Sequence, residues 1–537
     1  MSGQLRQRAL AAAGGAALCL AIAGVGARAA GGSALPPGCH VEWPVVGHGP
    51  AEAVVPLRAG TAPIACAVET GFATSESTIA VSNLGSLLYS PAGSENTLAR
   101  STDSGAGWSL APPPAGAQQS TLFNTVDPQV IVDRRTGRLF WVHATGPDRT
   151  VPGLLPGGAV PPGDLLPFVP AYGFQVYSSA DDGRSWSTAD YQTAPMGDWE
   201  KIFTGPPRPA ASGAPQPAGY PNVVYVCANS PLEASGPSRL CYRSLDGGGT
   251  FAPAGYVVVP GQTLVCPPLG TNTGVVDSDG TTYQPESCQD AAYLAVSADE
   301  GATYAWVRVP TAPANNNLTG GVIQLAIDGD DNLYVLWVAT DRVYYSVSRD
   351  RGKTWEGPVD ATAPGVSGIA LPAFAASGRG ALGITYYGHP GGAKVASAYI
   401  TESTNALAAK PFFYSAAINP ATHPVFNGSG LGLYPRADYV GGAFDAGGQF
   451  WAGVVEQLGA PDANNNVRTS GYVGRLVPRT AVAAPVSSPA MLPSTARAPL
   501  LAMPLLLLAA VLGILSWRRH EDVTTRRATV TETSRRR

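Results

Sequence analysis

The 537-residue chain is poor in charge: 13% of its residues are Asp, Glu, Lys or Arg, and the net charge is −4. No basic face or stripe stands out, which removes nucleic acid from the list of partners. There is no Cys-x-x-Cys pair, and His143, His389 and His423 are scattered, so the sequence contains no Cys/His metal-ligand cluster. Long apolar runs are confined to the two ends. What the chain has in quantity is 64 glycines and 49 prolines. That turn-rich composition calls for many short strands rather than long helices.

The two ends read as addresses. In residues 1–30, Arg6 and Arg8 precede an apolar run that finishes at Ala27-Arg28-Ala29, the pattern of a secretory signal peptide. Residues 499–517 carry no charge and approach the ~20 apolar residues needed to span a bilayer. Trp517 suits the interface. Residues 518–537 hold seven arginines, which places this tail on the cytoplasmic side. The expectation is a single-pass protein with its mass outside the cell membrane and a Pro/Ala/Ser spacer at 479–498. "LPSTA" at 492–496 also resembles a sortase sorting motif. Six cysteines remain after removal of the leader, an even number that favours disulfides in an exported chain. Local pairing joins Cys39 to Cys66, Cys227 to Cys241 and Cys266 to Cys288.

An octapeptide recurs through the middle: "STDSGAGW" at 101, "SADDGRSW" at 179, "SLDGGGTF" at 244, "SADEGATY" at 297 and "SRDRGKTW" at 348. The last two spacings are 53 and 51 residues, a period that belongs to propeller arrays. Residues 321–359 show one unit: "VIQLAID", the turn "GDDN", then "LYVLWVA", "RVYYSVSR" and, after the octapeptide, "TWEGPV". Four antiparallel strands make one blade. Tracing this order gives an all-β propeller over 72–478 with seven blades, or six if blade four or six is wrongly split. In the sixth unit the octapeptide has decayed. The last unit shows three strands, and a strand within the 31–71 segment, near "EAVVPLRA" (52–59), is expected to complete it and close the ring.

The five octapeptides match the Asp-box, or BNR repeat, and the chain resembles the sialidase-like Asp-box propellers. That resemblance puts the boxes on the rim, away from the substrate face. Asp103, Asp181, Asp246, Asp299 and Asp350 are accordingly read as turn-builders, whose short carboxylates accept backbone N–H groups.

A site is expected on the axis, where the innermost strands begin. "VDPQV", "GDWEK" and "RADYV" place Asp127, Asp198 and Asp438 there, with Glu200, Lys201 and Arg436 beside them. Acids converging from several blades suit a cation or sugar hydroxyls; the alternative is that each caps its own strand entry. The resemblance implies three arginines gripping a carboxylate, a Tyr–Glu nucleophile pair and an acid/base Asp. The Phe/Tyr-Arg-Ile-Pro motif carrying the first arginine is absent. Arg58 and Arg100 precede the first box and do not fit it, and "VRVP" (307–310) follows the fourth box. Arg243, Arg342 and Arg436 are the remaining inward candidates. Tyr386, Tyr387 or Tyr439 with Glu456 would form the pair. The sequence therefore favours a surface propeller binding extracellular glycan or envelope protein at its axial face, with exo-α-sialidase activity as the alternative. It calls for no cofactor. The acidic turns 277–280 and 328–332 are candidates for structural calcium, and the same residues also build tight hairpins.

Overall fold

The computed structural model describes residues 45–50, 63–74, 77–91, 98–111, 128–145, 173–189, 192–193, 198–230, 238–259, 273–288, 291–312, 323–419, 423, 425–427, 440–458 and 468–478. The leader, spacer, apolar C-terminal run and basic tail lie outside these residues. Among the described residues no helix is long and apolar enough to cross a membrane.

Seven antiparallel sheets follow one another along the chain, each with a core of four strands; in the first six these four are consecutive in sequence, and in the seventh the fourth comes from the N-terminal segment. The innermost strands are Ser77–Val81, Gln129–Val132, Asp198–Gly205, Val275–Val276, Gln324–Ile327, Val366–Ser377 and Gly441–Phe444. Several of the second strands are strongly apolar. Leu333–Ala339 (LYVLWVA) and Val223–Ser230 (VVYVCANS) lack alternation because both of their faces are covered by neighbouring blades. In blades one to five the fourth strand is the least buried: Glu356–Asp360 faces solvent along most of its length. Buried apolar side chains of the described residues form seven clusters, and each cluster unites two adjacent blades. One of them joins blade seven (Trp451, Val473) to blade one (Ile79, Leu87, Tyr89). The ring is therefore closed by packing, and the count is seven.

Closure by an N-terminal strand is observed, at a different segment from the one expected. Pro63–Glu69 pairs with Thr469–Pro478 as the fourth strand of blade seven. In "PIACAVE" the proline is the first strand residue, where no ladder N–H is required; in "EAVVPLRA" Pro56 would interrupt the strand. Residues 52–59 lie outside the described residues. Upstream, Val46–His48 adds a fifth strand to the outer edge of blade six by pairing with Phe413–Ser415.

Cys227 and Cys241 face each other across two strands of blade three and are disulfide-bonded. Cys66 is disulfide-bonded as well. Cys39 and Cys266 lie outside the described residues.

The box turns share one construction. In the first, the Ser101 hydroxyl donates to Asp103 Oδ1 (2.8 Å) and accepts from Gly105 N (2.9 Å), while Gly107 N donates to Asp103 Oδ1 (2.8 Å). The Ser–Asp and Gly–Ser bonds recur in all five. The fourth and fifth box residues both have positive φ, for example Asp182 (66°) and Gly183 (78°), so the glycine is required at the fifth position. Hydrogen bonds from the Ser185 hydroxyl and N–H pull the Asp181 carboxyl down to about 2. Asp350 is brought to the same value by Thr354. Blade six keeps a remnant: the Ser403 hydroxyl donates to Asn405 Oδ1 (3.0 Å), with asparagine in place of the acid.

Candidate functional site

The strand order fixes which end of the ring can hold a site. Each innermost strand runs into a turn to the second strand, and the box turns, joining third to fourth, lie at that same end. The opposite end is where the innermost strands begin. Along the axis runs a cavity of about 710 Å³ lined by residues of all seven innermost strands or of the segments leading into them.

At the entry end the lining includes Gln129, Lys201, Thr273 and Gln324. Gln129 spans three blades: its Oε1 accepts from Ile202 N (2.7 Å) and its Nε2 donates to Thr273 Oγ1 (2.6 Å). Gln324 Nε2 donates to the Pro372 carbonyl of the next blade. Lys201 is 3% exposed, and its ammonium lies 5.2 Å from the centre of the Trp199 ring. A β-bulge separates Asp198 from Lys201, and within it Trp199 adopts φ 57°. Blade six has comparable irregularities between Ser367 and Ala373, with Leu371 at φ 48°. The other positive-φ residues bearing side chains sit in turns, including the boxes. Backbone strain inside strands is thus concentrated at the entry end, in blades three and six. Bulges and such outliers are over-represented beside functional sites.

At the box end the lining changes. Arg134 donates to Asn83 Oδ1 (3.2 Å) and to the Phe444 carbonyl, tying blades two, one and seven together. Burial lowers its guanidinium from the ordinary value, opposed by the charge of Asp445. Asp445 Oδ1 accepts from Gln449 N (2.8 Å) within its own turn. Among the described lining residues Asp445 is the one carboxylate, and it belongs to this end.

Of the sequence-derived candidates, Asp127, Arg436, Asp438 and Tyr439 lie outside the described residues. Asp198 opens its strand, as expected of "GDWEK", and Lys201 reaches the cavity. Glu200 is fully buried and is not among the lining residues. Glu456 is also fully buried, in the second strand of blade seven. Its charge acts on the Tyr89 hydroxyl of blade one: burial raises that hydroxyl well above the ordinary range, and Glu456 adds to the rise. Tyr387 accepts from Val455 N (2.9 Å) and donates to its carbonyl (3.3 Å); Tyr386 accepts from Ala363 N (2.8 Å).

Two inward arginines must be corrected. Arg243 turns to blade four and donates to the Glu300 carbonyl (3.0 Å), because it directly precedes a box serine at the inter-blade seam. Arg342 pairs with Asp360 on the outer part of blade five. The two acidic turns considered for calcium do meet, around an arginine. Arg351, the fourth residue of the last box, binds Asp331 (2.8 Å), Asp279 and Ser278 (3.1 Å), with Asp277 at 3.5 Å. Its guanidinium supplies the positive charge there. Among the described residues no group of His, Cys, Asp or Glu side chains is arranged to hold a metal ion.

Gln129, Thr273 and Gln324 were not singled out from sequence. Their signal was position alone: each lies at or just before the start of an innermost strand.

No family model matches the chain, and no curated protein matches it. Solved structures are similar at low levels. The NanB sialidase from Streptococcus pneumoniae aligns over 76% of this chain and 70% of its own, with 13% identity and a TM-score of 0.37. The intramolecular trans-sialidase from Ruminococcus gnavus aligns over 76% and 96%, with 12% identity and a TM-score of 0.36. A Penicillium chrysogenum α-L-arabinanase complexed with arabinobiose aligns over 64% and 92%, with 13% identity and a TM-score of 0.34.

Proposed function

We propose, starting from a sialidase-like Asp-box propeller, that the entry end of the axial cavity binds a glycan or an envelope protein without cleaving it. The observation that carries this reading is the lining. Glycoside hydrolysis ordinarily needs two carboxyl groups flanking the scissile bond. At the entry end the described lining offers two carboxamides, a hydroxyl and one ammonium, and the one described lining carboxylate lies at the box end. Amides and hydroxyls held in an inter-blade network suit hydrogen bonding to sugar hydroxyls or peptide groups. The strained segments around Trp199 and Leu371 support the same end.

Hydrolysis of the exo-α-sialidase type is the second reading. The buried charge of Glu456, which acts on the Tyr89 hydroxyl across the seam of blades seven and one, keeps it open. The Cys227–Cys241 disulfide supports an exported location, and the anchor at 499–517 remains part of the proposal.

The test uses the detergent-solubilised full chain on an immobilised glycan panel and on separated envelope components. Binding that weakens at least about tenfold in Lys201→Ala, with no turnover of a fluorogenic sialoside, is the expected result. Turnover that disappears in Glu456→Gln would establish the second reading instead. Absence of any bound glycan or envelope component at every salt concentration would remove the first.

A further inference from the structure

The fifth strand of blade six is built around a histidine. Val46, Gly47 and His48 lie opposite Ser415, Tyr414 and Phe413 on the outer edge of the blade. Glycines flank His48 and let the strand close in. A Cβ on Gly47 would lie 2.7 Å from the Phe412 ring, and one on Gly49, at φ 126°, would lie 2.7 Å from the Pro411 carbonyl. His48 is thereby laid on Phe413, with ring centres 5.3 Å apart and planes 23° from parallel.

Behind the imidazole runs a hydrogen-bonded chain into the blade. His48 Nε2 bonds Ser415 Oγ (2.9 Å), Ser415 bonds Thr401 Oγ1 (2.7 Å), and Thr401 bonds the Tyr386 hydroxyl (3.3 Å), which accepts from Ala363 N (2.8 Å). A neutral imidazole can accept at Nε2 or donate there; an imidazolium can only donate. Protonation therefore restricts the whole chain to one direction and places a cation in a half-buried position. The charged groups acting on the ring come from blade five: Asp360 favours the cation and Arg342 opposes it, and these two are already paired with each other. From blade six the ring meets Ser415 and Phe413, with Tyr414 beside Gly47 and the buried Glu402 opposite Tyr414 one strand further in.

We propose that Val46–His48 is an acid-releasable strap: protonation of His48 detaches it and uncovers the outer edge of blade six. Burial lowers the His48 imidazole to about 4, outweighing the charge of Asp360. The sign follows. The strapped state binds fewer protons than the detached one between pH ~6.5 and about 4, so the strap is fully held above pH ~6.5 and weakens as pH falls through that window. Release leaves Phe413–Ala417 as an exposed edge strand able to accept another strand.

Hydrogen exchange of the detergent-solubilised full chain, read by mass spectrometry at pH 7 and pH 4.5 with intrinsic rates corrected, tests this. The expected result is a loss of protection of at least about tenfold in peptides covering 45–49 and 413–417, with the other blades unchanged. His48→Phe keeps the ring stack without the charge, and His48→Gln keeps a neutral partner for Ser415. Either folded variant should retain its strap protection at pH 4.5. Equal protection of the wild-type strap at both pH values would overturn the proposal. So would equal losses in wild type and variants, or a loss spread over all seven blades.

Discussion

Arg239 and Glu286 form an ion pair between the third strand of blade three and the second strand of blade four. The contact is 2.8 Å, and the side chains are 0% and 2% exposed. Arg239 also donates to Gln284 Oε1 (3.2 Å). At about 4 Å between charge centres and an effective dielectric of about 20, the attraction is about 4 kcal/mol. Withdrawing each ion from water costs several kcal/mol, so the pair should roughly break even. Breaking it is different. Glu286→Gln leaves a guanidinium that cannot deprotonate, and should cost about 3–5 kcal/mol at every pH from 5 to 8. Arg239→Met leaves a carboxyl that can take up a proton, because burial already pushes Glu286 up. With its folded pKa above the unfolded one, the folded variant binds more protons, and its stability falls as pH rises. The loss in Arg239→Met should therefore grow by up to about 1.4 kcal/mol per pH unit across that window. Replacing both residues, Arg239→Met with Glu286→Leu, should return stability to within about 1–2 kcal/mol of wild type. Guanidinium unfolding followed by tryptophan fluorescence at pH 5, 6.5 and 8 measures all three. A double variant as damaged as the singles, or an Arg239→Met loss independent of pH, would refute the reasoning.

The arginine at the last box gives a second prediction. Arg351→Ala leaves Asp277, Asp279 and Asp331 facing one another, so calcium should raise the melting temperature of the variant and leave wild type unmoved; equal responses would mean that Arg351 does not fill the cation's place. A third concerns Asp181, whose carboxyl lies at about 2 in the folded chain. Its folded pKa is depressed, so its contribution is present above pH ~4 and is lost as pH falls through about 2. Asp181→Asn should flatten the acid limb of the stability–pH curve between pH 5 and 2, and an unchanged slope would count against the box carboxylate as a stabilising group.

The blade order was legible because two periodicities coincide. The box marks the turn between third and fourth strands, and the doubly covered second strands stand out as runs such as "LYVLWVA" and "VVYVCA". Even the decayed unit left Ser403-x-Asn405. The closing strand was misplaced because the three-stranded last unit demanded a partner without specifying it; Pro56 against Pro63 was the discriminating detail. Site residues were less legible. Entry to an innermost strand is a topological position with no side-chain requirement, so Gln129, Thr273 and Gln324 have no motif. The bulge that puts Trp199 into a left-handed conformation cannot be seen in "GDWEK". The acidic turns misled because composition gives a cluster's charge and not its counter-charge, which arrives from a box 20 to 74 residues further along the chain.

The boxes also do more than their own turns require. Positive φ at the fourth box residue turns its carbonyl out of the turn, and an arginine of the preceding blade takes it up. Arg100 donates to the Asp182 carbonyl (2.6 Å), Arg138 to Gly247 (3.0 Å) and Arg243 to Glu300 (3.0 Å). Arg100 and Arg243 each directly precede a box serine, a position readable in the sequence once its role is known. The same fourth position supplies Asp182 to Arg100 and Ser86, and Arg351 to the acids of blade four. Cohesion between blades at this end is thus carried by polar latches repeated around the ring. These latches fix the box end. Side chains at the opposite end are not bound by the box pattern, and that end holds Lys201, the carboxamides and the strained strands of blades three and six.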